Sequence, residues 1–377
     1  MAKIFILIPW FHPAYKAGGP VQSIANLITQ LSTAEYQFTI FTSNKDLDGV
    51  ALKVTTPGEW LKFNNNTSIW YNDKNKLQQV LNNKVSTDQP DFLFINGIYS
   101  YRYNLKPLLF TKRVKKIVSV RGMLHPGALS QKPLKKKIYL WFWKLMGLHK
   151  AVTFHAVDQA EKNFITAVFG NKVNIAIAAN FPRIFPLQPF IDKQQGYLKL
   201  VSVALISPMK NILLVLEALQ QLPGDVKIEY DIYGPVKDEQ YWQQCLERIK
   251  VLPTGVKVNF HGDIPPDDII NVLAAAHVFI LPSKSENFGH AIIEALSAAR
   301  PVITSTTTPW NGLKTAKAGI NVTTYHSASL KDAIQFFVQL SAAEWQQWCT
   351  GAADYARLAI DLNIIKQQYQ SLFQPVQ

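Results

Sequence analysis

One pattern limits this chain more than any other: short apolar runs rich in β-branched residues alternate with helix-period segments, pause, and then alternate again. The first series comprises IFILI (4–8), FTIFT (38–42), FLFI (92–95), KIVSV (116–120), VTFHAV (152–157) and NIAIA (174–178). Between the first two lies VQSIANLITQL, where Val21, Ile24, Leu27, Ile28 and Leu31 fall on one helical face. Strands that are apolar throughout are buried on both faces, so this order predicts a parallel sheet covered by helices on either side. Residues 181–197, FPRIFPLQPFIDKQQGY, interrupt the pattern with three prolines and a polar run, which suits a linker. A second series follows: KLVSVAL (199–205), IEYDIYG (228–234), VKVNFHG (256–262), VFILPS (278–283), PVITS (301–305) and GINVTT (319–324). Two doubly wound α/β domains in tandem are expected, and in such sheets ligands bind beyond the carboxyl ends of the strands.

A length of 377 residues agrees with two domains, and 48% hydrophobic residues with ordered structure throughout. MAKIFILIPWF is apolar only as far as Pro9, so it reads as a buried first strand rather than an export signal. Cys245 and Cys349 have neither metal-like nor redox-like spacing and read as free thiols. Both readings place the chain in the cytoplasm. The formal charge of +13 calls for an acidic partner. Lys112, Arg113, Lys115 and Lys116 precede KPLKKKIYLWFWKLMGLHK (132–150), where six lysines accompany Tyr139, Trp141, Phe142 and Trp143 without an acid. Interfacial helices combine lysines with Trp and Phe in this way, so peripheral contact with an anionic membrane is one reading; a packed helix with solvated lysines is the other. No nucleic-acid-binding module accompanies the charge, and nucleic acid is not expected as a partner.

Chemistry-bearing residues gather at the strand ends. After the first strand, Gly18 and Gly19 precede Pro20 at an expected helix start, where glycines let backbone amides approach an anion. The same Gly-Gly-Pro is equally an ordinary turn. In KLVSVALISPMKNILLVLEAL, Lys210 is expected in the first helical turn, against the helix dipole unless an anion lies between; it is otherwise a surface lysine. In SENFGHAIIEAL (285–296) a helix is expected to begin at Phe288 or Gly289, with Glu286 before it and Glu294 inside it, roughly 7–9 Å apart along the axis at 1.5 Å per residue. The amides between these acids suit a diphosphate, and a nucleotide sugar carries hydroxyls on both sides of its diphosphate. The ordinary alternative makes Glu286 a favourable first-turn charge and Glu294 an exposed helix residue.

The stretch PSKSENFGHAIIEALSAARPVITSTTTPW resembles the E-x7-E signature of retaining glycosyltransferases of family 4, the group 1 glycosyltransferases with the GT-B fold. PWFHPAYKAGGPVQSIANL is similar to that family's glycine loop, VRGMLHPGAL to its central acceptor-domain loop, and ALISPMKN to its phosphate-binding lysine loop. The resemblance implies two tandem Rossmann-like domains facing a central cleft. Residues 1–185 would bind acceptor, 186–355 would bind the nucleotide sugar, and a helix in 356–377 would return to the first domain. It also implies roles: Glu286 at the donor sugar, Asn287, Phe288 and Gly289 at the donor with amides on the diphosphate, Glu294 at the ribose, and Lys210 at the phosphates. Gly18 and Gly19 would approach the leaving phosphate from the opposite domain, and Arg121 would stand near the reacting sugar.

Three positions depart from the family pattern. Leu205 occupies the place of an arginine, Arg121 that of a histidine, and Ala299 that of a glycine. If Ala299 needs a left-handed backbone, the cost is about 1 kcal/mol. The implied activity is transfer, with retention, from a nucleotide-diphosphate sugar to a glycan or lipid-linked saccharide in bacterial surface-polysaccharide assembly, with no cofactor and no metal. A nucleotide-sugar epimerase of the same fold and a non-catalytic nucleotide-sugar binder stay open.

Overall fold

The computed structural model describes residues 1–31, 35–53, 56–72 and 76–374. It divides into two compact units, Met1–Phe181 with Leu362–Gln377, and Pro182–Asp361.

Among the described residues of the first unit, eight strands form one sheet. They are β1 (Ala2–Leu7), β2 (Tyr36–Ser43), β3 (Trp60–Asn64), β4 (Thr67–Asn72), β5 (Phe92–Asn96), β6 (Lys115–Ser119), β7 (Thr153–Ala156) and β8 (Asn174–Ile177). Their order is β3-β4-β2-β1-β5-β6-β7-β8, parallel except for the antiparallel β3–β4 pair. That hairpin was not anticipated. Its strands flank an Asn-rich turn at 64–66, and β3 is largely exposed, so it lacks the continuous apolar run that marks its neighbours. The helix Gly19–Leu31 buries Val21, Ile24, Leu27, Ile28 and Leu31, the face its periodicity requires. Asn26 on the same helix donates Nδ2–H to Phe181 O at 2.8 Å. The C-terminal helix Leu362–Leu372 packs in this unit, where Tyr369 stacks on Phe181 at 5.3 Å.

The second unit holds β9 (Tyr197–Val203), β10 (Lys227–Tyr233), β11 (Val256–Phe260), β12 (Val278–Leu281), β13 (Val302–Ser305) and β14 (Gly319–Val322), in the all-parallel order β11-β10-β9-β12-β13-β14. Residues of alternate parity enter different cores. Leu198, Leu200, Ile228, Tyr230, Ile232, Val278 and Ile280 meet helices Ile212–Gln220 and Ser327–Gln339, while Val201, Phe279, Leu281 and Val302 meet helices His290–Ser297 and Ala342–Ala359. Both units are therefore doubly wound α/β sheets, as the alternation requires. Strand order reverses between β9 and β12, which pair through Val278 with Leu200 and Phe279 with Val201. At such a switch point the following helices leave on opposite faces and open a crevice beyond the strand ends.

Candidate functional site

The two loops that leave this switch point carry the strongest cluster of functional groups. After β9 the chain turns through Ser207–Asn211 before the helix Ile212–Gln220. Asn211 adopts a left-handed backbone at φ 62°, which Asn tolerates better than most residues. Its buried Nδ2 donates to Pro282 O and Thr324 O at 3.2 Å each, pinning this turn to the neighbouring strand ends. Lys284 N donates to Met209 O at 2.8 Å, so the β9 and β12 loops are also joined through their backbones.

Lys210 lies two residues before the helix rather than in its first turn, because the left-handed Asn211 intervenes. Its Nζ meets Glu286 Oε1 at 2.5 Å, with side chains 21% and 10% exposed. Ser283 Oγ donates to the same carboxylate oxygen at 2.6 Å. The Ser283 carbonyl in turn accepts from Ser305 Oγ and Thr307 Oγ1, which holds the loop against β13. Glu286 is thus a pre-oriented carboxylate in a charge-assisted pair, partly screened from water.

Three residues further on, Gly289 caps the helix His290–Ser297 at φ 76°, with no side-chain cap. A Cβ here would lie 3.1 Å from Ile292 Cδ1 and 3.2 Å from Trp310 Nε1, so glycine is required by both backbone and space. Trp310 fixes the turn, donating Nε1–H to Phe288 O at 2.6 Å while its ring meets Phe288 edge-on at 5.4 Å. Asn287 and Phe288 are half-buried beside it. The start of this helix lies immediately after Glu286, with Ile292 N and Ile293 N turned back onto Gly289 O at 3.0 and 3.3 Å and the positive end of the helix dipole toward the loop.

Glu294 is buried, not the exposed helix residue of the ordinary alternative. No hydrogen bond reaches its carboxyl group from the described residues. Burial pushes it up to about 8, opposed only by the charge of Arg183. That guanidinium is itself engaged, through Pro266 O at 2.9 Å and Asp267 Oδ1 at 3.2 Å. A buried carboxyl without a partner is costly for the fold and marks a site built for something else.

The remaining sequence candidates belong to the first unit. Gly18, at φ 68°, offers its carbonyl to Val21 N and Gln22 N, and exposed Gly19 opens the helix. Asp46 Oδ2 accepts from Tyr15 N and Lys16 N and so ties down the loop. Arg121 is half-buried and engaged by side chains of its own unit. At φ 52° after β6, it turns inward, donating Nε–H to Asn96 Oδ1 at 2.6 Å and Nη1–H to Asn180 Oδ1. Nη2 is buried without a partner, and burial lowers its proton affinity against the opposing pull of Tyr369 and Glu161. Half-buried Leu205 belongs to the second unit, whereas these partners of Arg121 all lie in the first.

Ala299 does adopt the left-handed region, at φ 58°. Buried Arg300 follows it and donates to the carbonyls of Leu273, Ala274, Ala299 and Pro189 at 2.7–3.1 Å, neutralising helix C-termini where the family's glycine is missing. Ser283 and Asn211 were not singled out from sequence. Asn directly before an apolar helix was an available signal for the second; Ser283 had none, since its role depends on the loop conformation.

Residues 187–348 match the family model for group 1 glycosyl transferases. O-antigen chain mannosyltransferase B of Escherichia coli is 33% identical over 129 residues, 32% of this chain and 32% of that protein. Mannosylfructose-phosphate synthase of Agrobacterium fabrum is 31% identical over 88 residues, 22% of this chain and 19% of that one. The chain thus aligns with about a third or less of the length of these curated relatives. Over whole chains, sucrose-phosphate synthase from Thermosynechococcus elongatus superposes with a TM-score of 0.74 at 15% identity, covering 99% of this chain and 98% of that one. HepE of Anabaena, solved in complex with UDP and glucose, gives 0.69 at 17% identity and 99% of both chains. At these identities the likeness is one of fold, and the fold is GT-B.

Proposed function

We propose that this chain, whose residues 187–348 match the family model for group 1 glycosyl transferases, transfers a sugar, with retention, from a nucleotide-diphosphate sugar to a hydroxyl of a glycan or lipid-linked saccharide. The observation that carries the reading is the Lys210–Glu286 pair across the β9/β12 switch point, beside a glycine-capped helix whose Glu294 is buried and unpartnered. Breaking the anomeric C–O bond puts positive charge on the sugar and negative charge on the departing diphosphate. Lys210 has three donors, of which Glu286 uses one, leaving two for phosphate oxygens. The amides at the start of helix His290–Ser297 add oriented dipoles, so leaving-group stabilisation is electrostatic and assigned to protein groups rather than to a metal ion. Glu286, held by Lys210 and Ser283, accepts hydrogen bonds from the donor sugar and orients it. Glu294 accepts ribose hydroxyls, supplying the partners it lacks. Retention follows from displacement on one face of the sugar, with the donor phosphate taking the acceptor's proton. The first unit is assigned to acceptor binding.

The likeness to the O-antigen chain mannosyltransferase supports a place in bacterial surface-polysaccharide assembly. A panel of UDP- and GDP-sugars tests the donor assignment by thermal shift, since ligand at 100 times its Kd stabilises by about 2.7 kcal/mol. One class of donor is expected to raise the midpoint and to release its nucleoside diphosphate when acceptor is present. Glu286→Ala should abolish that release while moving the unliganded midpoint little. A chain that binds no nucleotide sugar, or that interconverts donor sugars without releasing nucleotide, would refute the reading.

A further inference from the structure

The net charge of this chain is concentrated in one segment. Residues 92–157 contain 13 of the 39 Lys and Arg and none of the 26 Asp and Glu, so the remainder is formally neutral. At the surface of that segment stands the helix Pro133–Leu145, of which only Leu140 and Trp143 are buried. Leu134, Ile138, Trp141 and Leu145 are 71%, 58%, 61% and 64% exposed. At about 100° per residue these four fall within an arc of about 60°, forming an apolar stripe about 16 Å long that points away from the core. Met146 at the end of the helix is also exposed. Exposed Lys137 and Lys144 border the stripe on one side and Lys135 on the other. Lys136 differs: it is directed inward, donating to Ala128 O and lying over the Tyr99 ring at 5.2 Å.

We propose that this helix docks the chain on the surface of an anionic lipid bilayer, with Leu134, Ile138, Trp141 and Leu145 entering the interface and Lys135, Lys137 and Lys144 resting on the headgroups. An apolar stripe flanked by lysines on a fixed helix is the arrangement that lipid headgroups and acyl chains reward together. Nucleic acid would use the lysines but leave Leu134, Ile138 and Leu145 in water. A second copy of the chain would cover the stripe but bring two sets of lysines together. No helix among the described residues is long and apolar enough to cross a membrane, so the contact proposed is at its surface. The inference adds a partner to the proposed transferase and is tested by binding rather than by transfer, so either reading can fail without the other.

The test is sedimentation of the full chain with phosphatidylcholine vesicles, with and without about a third phosphatidylglycerol, for wild type, a triple Lys135→Glu, Lys137→Glu, Lys144→Glu variant, and an Ile138→Ser, Trp141→Ser variant. Wild type should bind only the anionic vesicles. Each lysine near such a surface contributes about fivefold in partition, so the triple variant should lose at least a hundredfold. The serine variant, with a thermal midpoint matching wild type because its changes are exposed, should also lose binding. Sedimentation by wild type that survives the serine changes, equal affinity for a DNA duplex, or a concentration-dependent dimer abolished by the serine changes would each overturn the proposal.

Discussion

Glu294→Gln should stabilise the chain in alkaline solution and weaken donor binding at the same time. In the folded chain burial pushes Glu294 up to about 8, against 4.5 for an ordinary glutamate, and only Arg183 works in the other direction. Between these two values the native state holds a proton that the unfolded chain has released. Rising pH therefore favours unfolding, and the stability present below pH 4.5 is lost progressively up to about pH 8. At about 1.4 kcal/mol per pH unit, wild type should lose on the order of 4 kcal/mol between pH 5 and pH 9 from this group. Glutamine has nearly the same shape and no charge, so the variant lacks this term, whereas every other titrating group contributes equally to both proteins. Urea unfolding of both at pH 5, 7 and 9 should show a difference that is small at pH 5 and grows steadily in favour of the variant. Loss of a hydrogen bond to the donor, about 1 kcal/mol, should raise the donor's Kd about fivefold at the same time. A stability difference independent of pH would refute the burial argument, and unchanged donor affinity would refute the ribose assignment.

Gly289→Ala places a Cβ at φ 76° within 3.2 Å of Trp310 Nε1, so it should cost about 1–2 kcal/mol and displace the donor amides. Donor affinity should fall with it, and a variant with wild-type stability and affinity would show that the turn relaxes freely. Arg121→Met removes donors to Asn96 and Asn180 from the interior and should lower stability by about 3 kcal/mol while turnover per folded molecule persists. Lost turnover at unchanged stability would return Arg121 to the reaction centre.

Much of the architecture was legible because its signals are local. Runs such as IFILI and VFILPS become buried parallel strands whatever surrounds them, and VQSIANLITQL can bury only one face. The β3–β4 hairpin escaped because an edge strand faces water and carries no such run. Glu286 and Lys210 could be named from their places after strands, but their ion pair could not, since 76 residues separate them and only the β9/β12 switch point joins their loops.

Arg121 and Glu294 mark the boundary most clearly. Spacing about a helix start made Glu294 a candidate for ligand contact, and the family resemblance made Arg121 one. Whether a charged side chain is spent inside the protein or kept for a ligand depends on what packs around it. Asn96 and Asn180, distant in sequence, consume Arg121, whereas nothing among the described residues satisfies Glu294. The sequence by itself determined two doubly wound sheets, because hydrophobic periodicity is written in neighbouring residues. Only the tertiary structure decided which charges are available, because desolvation and pairing are set by groups that the chain brings together from far apart.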